Sequence, residues 1–428
     1  MSLVMNQSLG KMQRFFFFII VFFVVFDGVR SNLVISNFVA PLRELALLMF
    51  IMLSLPMLSH CKKKDFRLAI PFMAISALAI VNIPITLFHS ISSYHLGSIL
   101  VFGNPYTAVY KHIIFSILFL AMICFARNKI NYMRKGLKLF INLSAIYALI
   151  TVPIYIYGAP LFVEKFRDWG RMGIGYPTMD GQVICMAIFC LVFLVPQRSK
   201  LIFNIKMAAL LLGLVCQNTG TAMVTMLLIA LVAIVKKPWK TLSYFSVIFP
   251  MIIIVAIKQY YSDPEFFTQM LYVTTNKINL LIDPSANYGQ VNTLEMREDQ
   301  YKMLNIIIDK NPMLWILGVG GEAYVENEFK LTLASYGIFS FAAFVLSFFW
   351  ISTLVFISKN KNKLLLISFM IVWAFTSYTL ASIFLFATSC GFCMVFAYAY
   401  VTGLEGYEDD MEYIDDRRFK IKFRLSRY

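Results

Sequence analysis

Charged residues and histidines are scarce in this chain of 428 residues, where 14% of positions are charged and four are histidine. Soluble domains carry about 25% charged and about 45–50% apolar residues, whereas 60% of this chain is apolar. A soluble globule of this length cannot bury so much hydrocarbon. The composition also excludes a disordered chain, a collagen-like chain and a disulfide scaffold, and it predicts an integral membrane protein.

The apolar residues form continuous runs, whereas the strands of membrane barrels alternate between apolar and polar residues. Since a spanning helix needs about 20 apolar residues, the runs predict an all-α polytopic membrane protein with about 12 transmembrane helices. The runs lie near 13–27, 41–59, 68–88, 109–125, 137–157, 182–196, 201–216, 222–235, 241–257, 330–357, 364–378 and 382–401. We expect a helix bundle over residues 1–401, with loops at 158–181 and 258–329 and a tail at 402–428.

Basic residues cluster before the first run and after the even-numbered runs, and they account for much of the net charge of +15. They include Lys11, Arg14, Lys62, Lys63, Lys64, Arg67, Arg127, Lys129, Arg134, Lys135, Lys138, Arg198, Lys200, Lys236, Lys237, Lys240, Lys359, Lys361 and Lys363. Because basic loops stay in the cytoplasm, both termini are predicted to be cytoplasmic and the two long loops to lie outside. The charge therefore indicates a lipid bilayer as partner and no nucleic acid.

Several site types lack the residues that they need. Cys390 and Cys393 have the spacing of a metal or redox pair, but a second pair and a nearby histidine are missing, which favours simple helix packing. Neither long loop contains histidine, and no Asp-x-Asp pair lies outside the runs, so a metal–diphosphate site is not expected. Between the helix ends almost no ionisable residue interrupts the spans, Lys206 being the main exception, and this scarcity disfavours an ion-coupled transporter.

Arginines mark both long loops. Arg167 and Arg171 are four residues apart and would share a helix face, and Gly173 and Gly175 after them permit a tight backbone. The guanidinium fork suits phosphate oxygens, although arginines at an interface also snorkel to lipid headgroups. In the second loop, Arg297 lies in the first turn of a helix predicted over 293–309, where an intrahelical ion pair is the alternative role.

Three further polar segments accompany the arginines. Residues 266–282 mix apolar and polar positions and are predicted to lie at the membrane interface. Asn218 and Thr219 form a short turn between two apolar runs, where they either cap helices or face a cavity. Gly318 and Gly320 form a turn, which is not a Walker loop because no Gly-Lys-Ser/Thr follows.

These motifs together resemble those of the Wzy-type O-antigen polymerases, within the superfamily that includes the O-antigen ligases. The motifs that carry the resemblance are the arginine loop entering a glycine-rich stretch, Asn218-Thr219-Gly220, and Arg297 ahead of Asn311-Pro312 and Gly318-Val319-Gly320. The resemblance implies a GT-C-like glycosyltransferase architecture in the bacterial inner membrane. It implies transfer of undecaprenyl-diphosphate-linked oligosaccharide at the periplasmic face without metal or cofactor, alongside a chain-length co-polymerase and a flippase.

The resemblance also suggests roles for individual residues. Arg171 and Arg297 would stabilise the leaving diphosphate, and Glu326 would be the base, because relatives have His-Asn where this chain has Glu326-Asn327. Glu322 and Glu328 add carboxylates nearby, although Glu326 could equally be a solvated carboxylate at a helix start. The residues expected to bind substrate are Arg167, Asn218, Thr219, Gly318, Gly320 and Asn327.

Other functions remain open at this point. A ligase that transfers polysaccharide to lipid A core would share the fold, but the missing histidine disfavours it. A polysaccharide flippase also has about 12 helices, but a loop as long as 258–329 disfavours it. A structural membrane protein without activity does not explain the two arginine-bearing loops.

Overall fold

The structure is a computed structural model. It describes residues 2–84, 106–162, 172–197, 199–236, 263–282, 293–321 and 323–404, with a few positions between 253 and 261. Arg167, Arg171, most of the predicted ninth span and most of the tail at 402–428 lie outside the described residues.

The described residues fold into helices, as the continuous apolar runs predicted. In chain order they are α1 (Ser2–Arg30), α2 (Ser36–Ser54), α3 (Lys63–Val81), α4 (Tyr106–Asn128), α5 (Ile130–Tyr157), α6 (Pro177–Phe189), α7 (Lys200–Gln217), α8 (Gly220–Lys236), α9 (Pro264–Ile282), α10 (Thr293–Lys310), α11 (Met313–Leu317), α12 (Glu328–Tyr336), α13 (Ile338–Ile357), α14 (Lys363–Thr379) and α15 (Phe386–Thr402). A π-helical turn, Cys190–Leu194, extends α6.

Among the residues that the structure describes, seven helices are long and apolar enough to cross a membrane, as expected of a multi-pass membrane protein. They are α1, α2, α4, α5, α6 with its π turn, α7 and α13, and the shorter apolar helices α8, α14 and α15 accompany them. The third predicted run corresponds to α3, whose first turn is strongly charged. An all-α membrane fold is thus confirmed, while the number of 12 spans stays a prediction.

The core of the bundle surrounds α15, in which every residue from Phe386 to Val401 is buried. Helices α1, α4 and α6 pack against it. Phe392 stacks on Trp373 of α14 with ring centroids 4.3 Å apart, and its ring also stacks on Phe119 of α4 at 6.1 Å. A helix buried all round needs no polar face, which explains why this run is mostly apolar.

Two predicted boundaries change. The run at 330–357 is two helices, because the chain turns at Gly337 with φ of +79°. A side chain there would also collide with the carbonyl of Ile316, since an added Cβ would lie 2.0 Å from that oxygen. The predicted loop 158–181 is shorter than expected, since α6 already begins at Pro177, a residue type suited to the first helical turn.

The bundle has two chemically different ends. At the basic end, Arg127 pairs with the buried Asp65 at 2.7 Å, and a disulfide joins Cys61 to Cys124, two cysteines that the sequence analysis did not single out. The loop end contains the Asn218 turn, the start of α6, and α10 to α12. Disulfides are rare in the cytoplasm, so the disulfide and the basic residues favour opposite orientations, and the predicted topology remains to be tested.

Candidate functional site

The segments singled out in the sequence meet at the loop end. The Tyr176 hydroxyl, just before α6, donates a 2.7 Å hydrogen bond to Oε1 of Glu326 in the long loop. On the same segment, the Met172 amide donates to the carbonyl of Cys216 at 2.8 Å, next to the Asn218 turn. The end of the first loop therefore contacts both of the other polar segments, as a common site requires.

The Asn218 turn joins α7 to α8 within two residues. Asn218 adopts a left-handed conformation with φ of 42°, which asparagine tolerates better than most residues, and it ends α7. Its side-chain oxygen accepts a 3.1 Å hydrogen bond from Thr274 of α9. The turn thus caps α7, which is one of the two roles predicted from the sequence. It also contacts α9, the helix predicted to lie at the membrane interface.

Glu326 and Asn327 have different surroundings. Glu326 is half-buried and accepts the hydrogen bond from Tyr176. Asn327 is buried and caps α12 through a 3.1 Å hydrogen bond from the Lys330 amide to its side-chain oxygen. The cap gives Asn327 a structural role, whereas the position of Glu326 next to the first loop fits the proposed contact with substrate.

The sequence suggested that Glu328 belongs to a carboxylate cluster around Glu326. In the structure Glu328 lies apart from Glu326. It is fully buried, and its carboxylate lies 2.9 Å from Nε2 of His112 on α4 and accepts a 2.8 Å hydrogen bond from the Ile383 amide. Nδ1 of His112 faces the Tyr336 hydroxyl at 3.1 Å. Burial, and secondarily the charge of Glu328, raise the pKa of Tyr336, which keeps that hydroxyl protonated.

The sequence analysis missed His112 because the residue lies more than 200 positions from Glu328 along the chain. The only signal in the sequence was that this histidine stands near the start of an apolar run. With both ring nitrogens engaged inside the protein, the His112–Glu328 pair fixes α12 to α4 and to the segment before α15. The pair therefore positions the segment that carries Glu326.

The Gly318–Gly320 turn packs against α12. The Val319 amide donates to the Ala334 carbonyl at 2.6 Å, and a Cβ at Gly318, where φ is +79°, would lie 2.5 Å from the backbone of Ser335 and Tyr336. Only glycine permits this approach. Backbone packing therefore explains Gly318, and a positive φ of 95° explains Gly320. A substrate role for either glycine stays a prediction.

Helix α10 matches the helix predicted over 293–309, and it ends at Lys310, before Asn311-Pro312 as expected. Leu304 and Ile307 of α10 form a small core with Val319 and Val325. This core fixes the helix that carries Arg297 to the segment that carries Glu326. Arg297 lies in the first turn of α10; its side chain is outside the described residues.

Four ionisable residues lie near the ends of the apolar helices, outside the positions between helix ends for which the sequence analysis named Lys206 as the main exception. Arg43 of α2 forms ion pairs with Asp27 and Glu44, and Lys111 of α4 pairs with Glu44 at 2.5 Å. All four residues lie within about two turns of the helix ends at the loop end. Their ion pairs connect α1, α2 and α4. Their mutual pairing makes burial tolerable.

A second feature missed by the sequence analysis is a group of buried polar side chains without partners at the start of α6 and the end of α7. Gln217 is completely buried, and although it lies near the Tyr147 hydroxyl, neither of its amide atoms makes a hydrogen bond. Oγ1 of Thr219 and Oδ1 of Asp180 are also buried and unpartnered. Buried polar groups are normally satisfied, so this group calls for an explanation.

Within the described part of the chain, no cluster of three or more His, Cys, Asp or Glu residues could hold a metal ion. The chemistry available at the loop end is that of carboxylate, amide, hydroxyl and arginine side chains. No family model and no curated protein matches the sequence.

Proposed function

We propose that the protein is a polysaccharide polymerase that joins oligosaccharide repeat units carried on undecaprenyl diphosphate. One observation carries the proposal: the Tyr176–Glu326 hydrogen bond unites the two loops that bear the arginines, at one end of a membrane helix bundle. Lipid tails can then lie against the apolar helices while the polar head groups reach the loop end.

The reaction suits these residues. The bond from the sugar anomeric carbon to the diphosphate of the donor breaks, and a hydroxyl of the acceptor repeat unit forms the new glycosidic bond. The electrons of the broken bond leave with undecaprenyl diphosphate, whose charge Arg171 and Arg297 would stabilise by their guanidinium forks. Glu326 would take the hydroxyl proton, and Tyr176 holds its carboxylate in place.

A gene deletion tests this function directly. In the strain that encodes the protein, we expect the deletion to leave surface lipid with a single repeat unit, seen as one band in place of a ladder on a polysaccharide gel. Loss of a ligase or a flippase would remove every band above the core, and an unchanged ladder would refute a role in this assembly.

The ion pairs of Asp27, Arg43, Glu44 and Lys111 favour a transporter as the second candidate, because ionisable groups inside the membrane often mark transport pathways. A transporter of lipid-linked saccharide would move its substrate between leaflets without lengthening it. The deletion gel separates the two candidates, since a transport defect removes the single-repeat band that a polymerase defect retains.

The role of Glu326 needs a separate comparison. Glu326→Gln keeps the size of the side chain and removes the base, so we expect polymer length to fall in the complemented deletion strain. If Glu326→Gln polymerises like the wild type while Arg297→Ala is inactive, transfer depends on departure of the diphosphate and Glu326 is not the base.

A further inference from the structure

Helix α11, in the long loop before α12, exposes most of its large apolar side chains at the loop end. Its one buried residue, Leu314, belongs to the small core that α11 shares with α10. The other four side chains form what we call the α11 surface, and their exposed fractions are 58% for Met313, 40% for Trp315, 43% for Ile316 and 39% for Leu317. A loop surrounded by water rarely exposes such a run, so this surface is expected to have an occupant.

The backbone of α11 is fixed to the ends of two long helices, α3 and α13. The side-chain amide of Asn82, directly after α3, donates a hydrogen bond to the Leu317 carbonyl. Gly337, directly before α13, packs so closely on the Ile316 carbonyl that an added Cβ would collide with it. Helix α11 therefore lies where α3 ends and α13 begins.

The lengths of these two helices indicate the depth of α11 in the membrane. Helices α3 and α13 each connect the basic end to the loop end, over 19 and 20 residues, which at about 1.5 Å per residue is about 28–30 Å. The hydrocarbon core of a bilayer is about 30 Å thick. Because α11 contacts the loop ends of both helices, it lies where hydrocarbon meets the lipid headgroups, the level at which tryptophan is enriched in membrane proteins.

The α11 surface continues the outer faces of α3 and α13. The two helices lie side by side, since the Trp350 indole of α13 donates a 2.7 Å hydrogen bond to the Arg67 carbonyl of α3. On each helix, exposed apolar side chains recur at the spacing of one helix face. They include Ile70, Met73 and Ile80 on α3 and Phe339, Leu346 and Phe349 on α13. Lipid covers such faces in a membrane protein, and the same lipid can extend over α11.

The sequence around α11 changes from polar to apolar within a few residues. Asp309, Lys310 and Asn311, which precede α11, are all exposed. Exposed polar residues next to exposed apolar ones are typical of a segment that lies in the plane of a membrane interface. This arrangement, and the continuity with α3 and α13, favour lipid over a second protein surface as the occupant.

We propose that α11 is inserted into the lipid bilayer at the loop end, with the α11 surface against acyl chains and residues 309–311 among the headgroups. The loop predicted to lie outside the membrane, 258–329, then enters the membrane interface again at 313–317. Because Leu314 belongs to the core shared with α10, the insertion also fixes α10 relative to the bilayer. The proposal concerns lipid alone and does not depend on the reaction proposed above.

Spin labels in liposomes test the insertion. A nitroxide is attached to Met313→Cys or Ile316→Cys in the full-length protein, whose free cysteines are buried. Phe339→Cys provides a reference position on the outer face of α13, and Lys302→Cys provides an exposed position on α10 away from the α11 surface. Power-saturation EPR then compares accessibility to molecular oxygen, which partitions into lipid, with accessibility to a water-soluble nickel chelate.

We expect the labels at Met313→Cys and Ile316→Cys to be more accessible to oxygen than to the nickel chelate, like the label at Phe339→Cys. The label at Lys302→Cys should show the reverse. If the labels on α11 behave like the label at Lys302→Cys, the α11 surface faces water and the proposal is wrong. If neither agent reaches them, a protein surface such as a second copy of the chain covers α11, which also overturns the insertion.

The native tryptophans provide an independent measurement. The difference in emission between the wild type and Trp315→Phe gives the emission of Trp315. The difference for Trp373→Phe gives that of Trp373, which is fully buried against Phe392 and serves as the control. Liposomes with brominated acyl chains should quench Trp315 more strongly than Trp373, and quenching of Trp315 no stronger than that of Trp373 would contradict the insertion.

Discussion

Two buried glutamines at opposite ends of the bundle show how the ends differ. Gln13 at the basic end is 1% exposed, and its amide donates to Ser54 at 2.8 Å and accepts from Lys129 at 2.9 Å. Gln217 at the loop end is 0% exposed, and neither amide atom has a hydrogen-bond partner. The same side chain is thus satisfied by the fold at one end and left unsatisfied at the other.

A buried amide with hydrogen-bond partners and a buried amide without them affect the free energy of unfolding in opposite directions. A satisfied buried amide stabilises the fold, whereas an unsatisfied one costs about 1–3 kcal/mol. Proteins retain such costs where activity requires them. Gln13 therefore helps to hold the helices together at the basic end, whereas the buried amide of Gln217 makes no such contribution at the loop end.

The largest expected effect comes from the arginines of the two long loops. In the complemented deletion strain, Arg297→Ala should abolish the polysaccharide ladder, and Arg297→Lys should shorten it sharply, because lysine keeps the charge and loses the fork. Arg171→Ala should behave like Arg297→Ala. Lys302 is an exposed cation on the same helix, so Lys302→Ala is the control and should polymerise normally. Normal ladders from both arginine-to-alanine variants would show that these arginines take no part in the reaction.

The orientation of the two ends is tested by labelling with a membrane-impermeant maleimide in intact spheroplasts. Ser31→Cys at the loop end should be labelled and Lys361→Cys at the basic end should not, because both positions are exposed and basic loops stay inside. The wild type is the control, since its free cysteines within the described residues are buried. Labelling of Lys361→Cys alone would invert the topology and would agree with the disulfide.

A smaller effect is expected on stability when one partner of a buried pair is removed. Glu328→Ala leaves Nε2 of His112 and the Ile383 amide without their carboxylate partner, and the free energy of unfolding should fall by about 3–5 kcal/mol. Asp65→Ala breaks the pair with Arg127 at the basic end and should lower stability comparably. Thermal unfolding in detergent measures both; a Glu328→Ala protein as stable as the wild type would contradict the positioning role of the His112–Glu328 pair.

The smallest expected effect, a change in the free energy of unfolding, distinguishes the two ends most clearly. Gln13→Leu should lower the free energy of unfolding by about 1–3 kcal/mol, because it removes the hydrogen bonds of Gln13 to Ser54 and Lys129. Gln217→Leu should leave stability unchanged or raise it, since the amide that it removes has no partner. Denaturation of both variants in the same detergent measures the difference, and equal destabilisation would show that the two ends do not differ in this respect.

Much of the fold could be predicted because hydrophobicity is a local property of the sequence. The apolar runs gave the helices, α10 was placed within a residue at each end, and its stop before Asn311-Pro312 follows from proline chemistry. The break at Gly337 was missed because tertiary packing against Ile316, rather than local propensity, requires it.

The site was predictable only in part. The Asn218 turn and Glu326 were found as polar residues between apolar helices, where solvent or a ligand must meet them. His112, Arg43 and Gln217 were missed because each lies inside or at the end of an apolar run, and their partners, or the absence of partners, depend on helices distant in sequence. Nothing in one chain's sequence reports whether a buried amide is satisfied.

The most direct test of the central claim uses purified protein in liposomes with the undecaprenyl-diphosphate-linked repeat unit as the only saccharide. The proposed function predicts products of two and more repeats, with one undecaprenyl diphosphate released for each glycosidic bond formed. The Arg297→Ala protein should form neither product. Folded wild-type protein that binds the lipid-linked unit but forms no product longer than one repeat would contradict the assignment of polymerisation to the loop end.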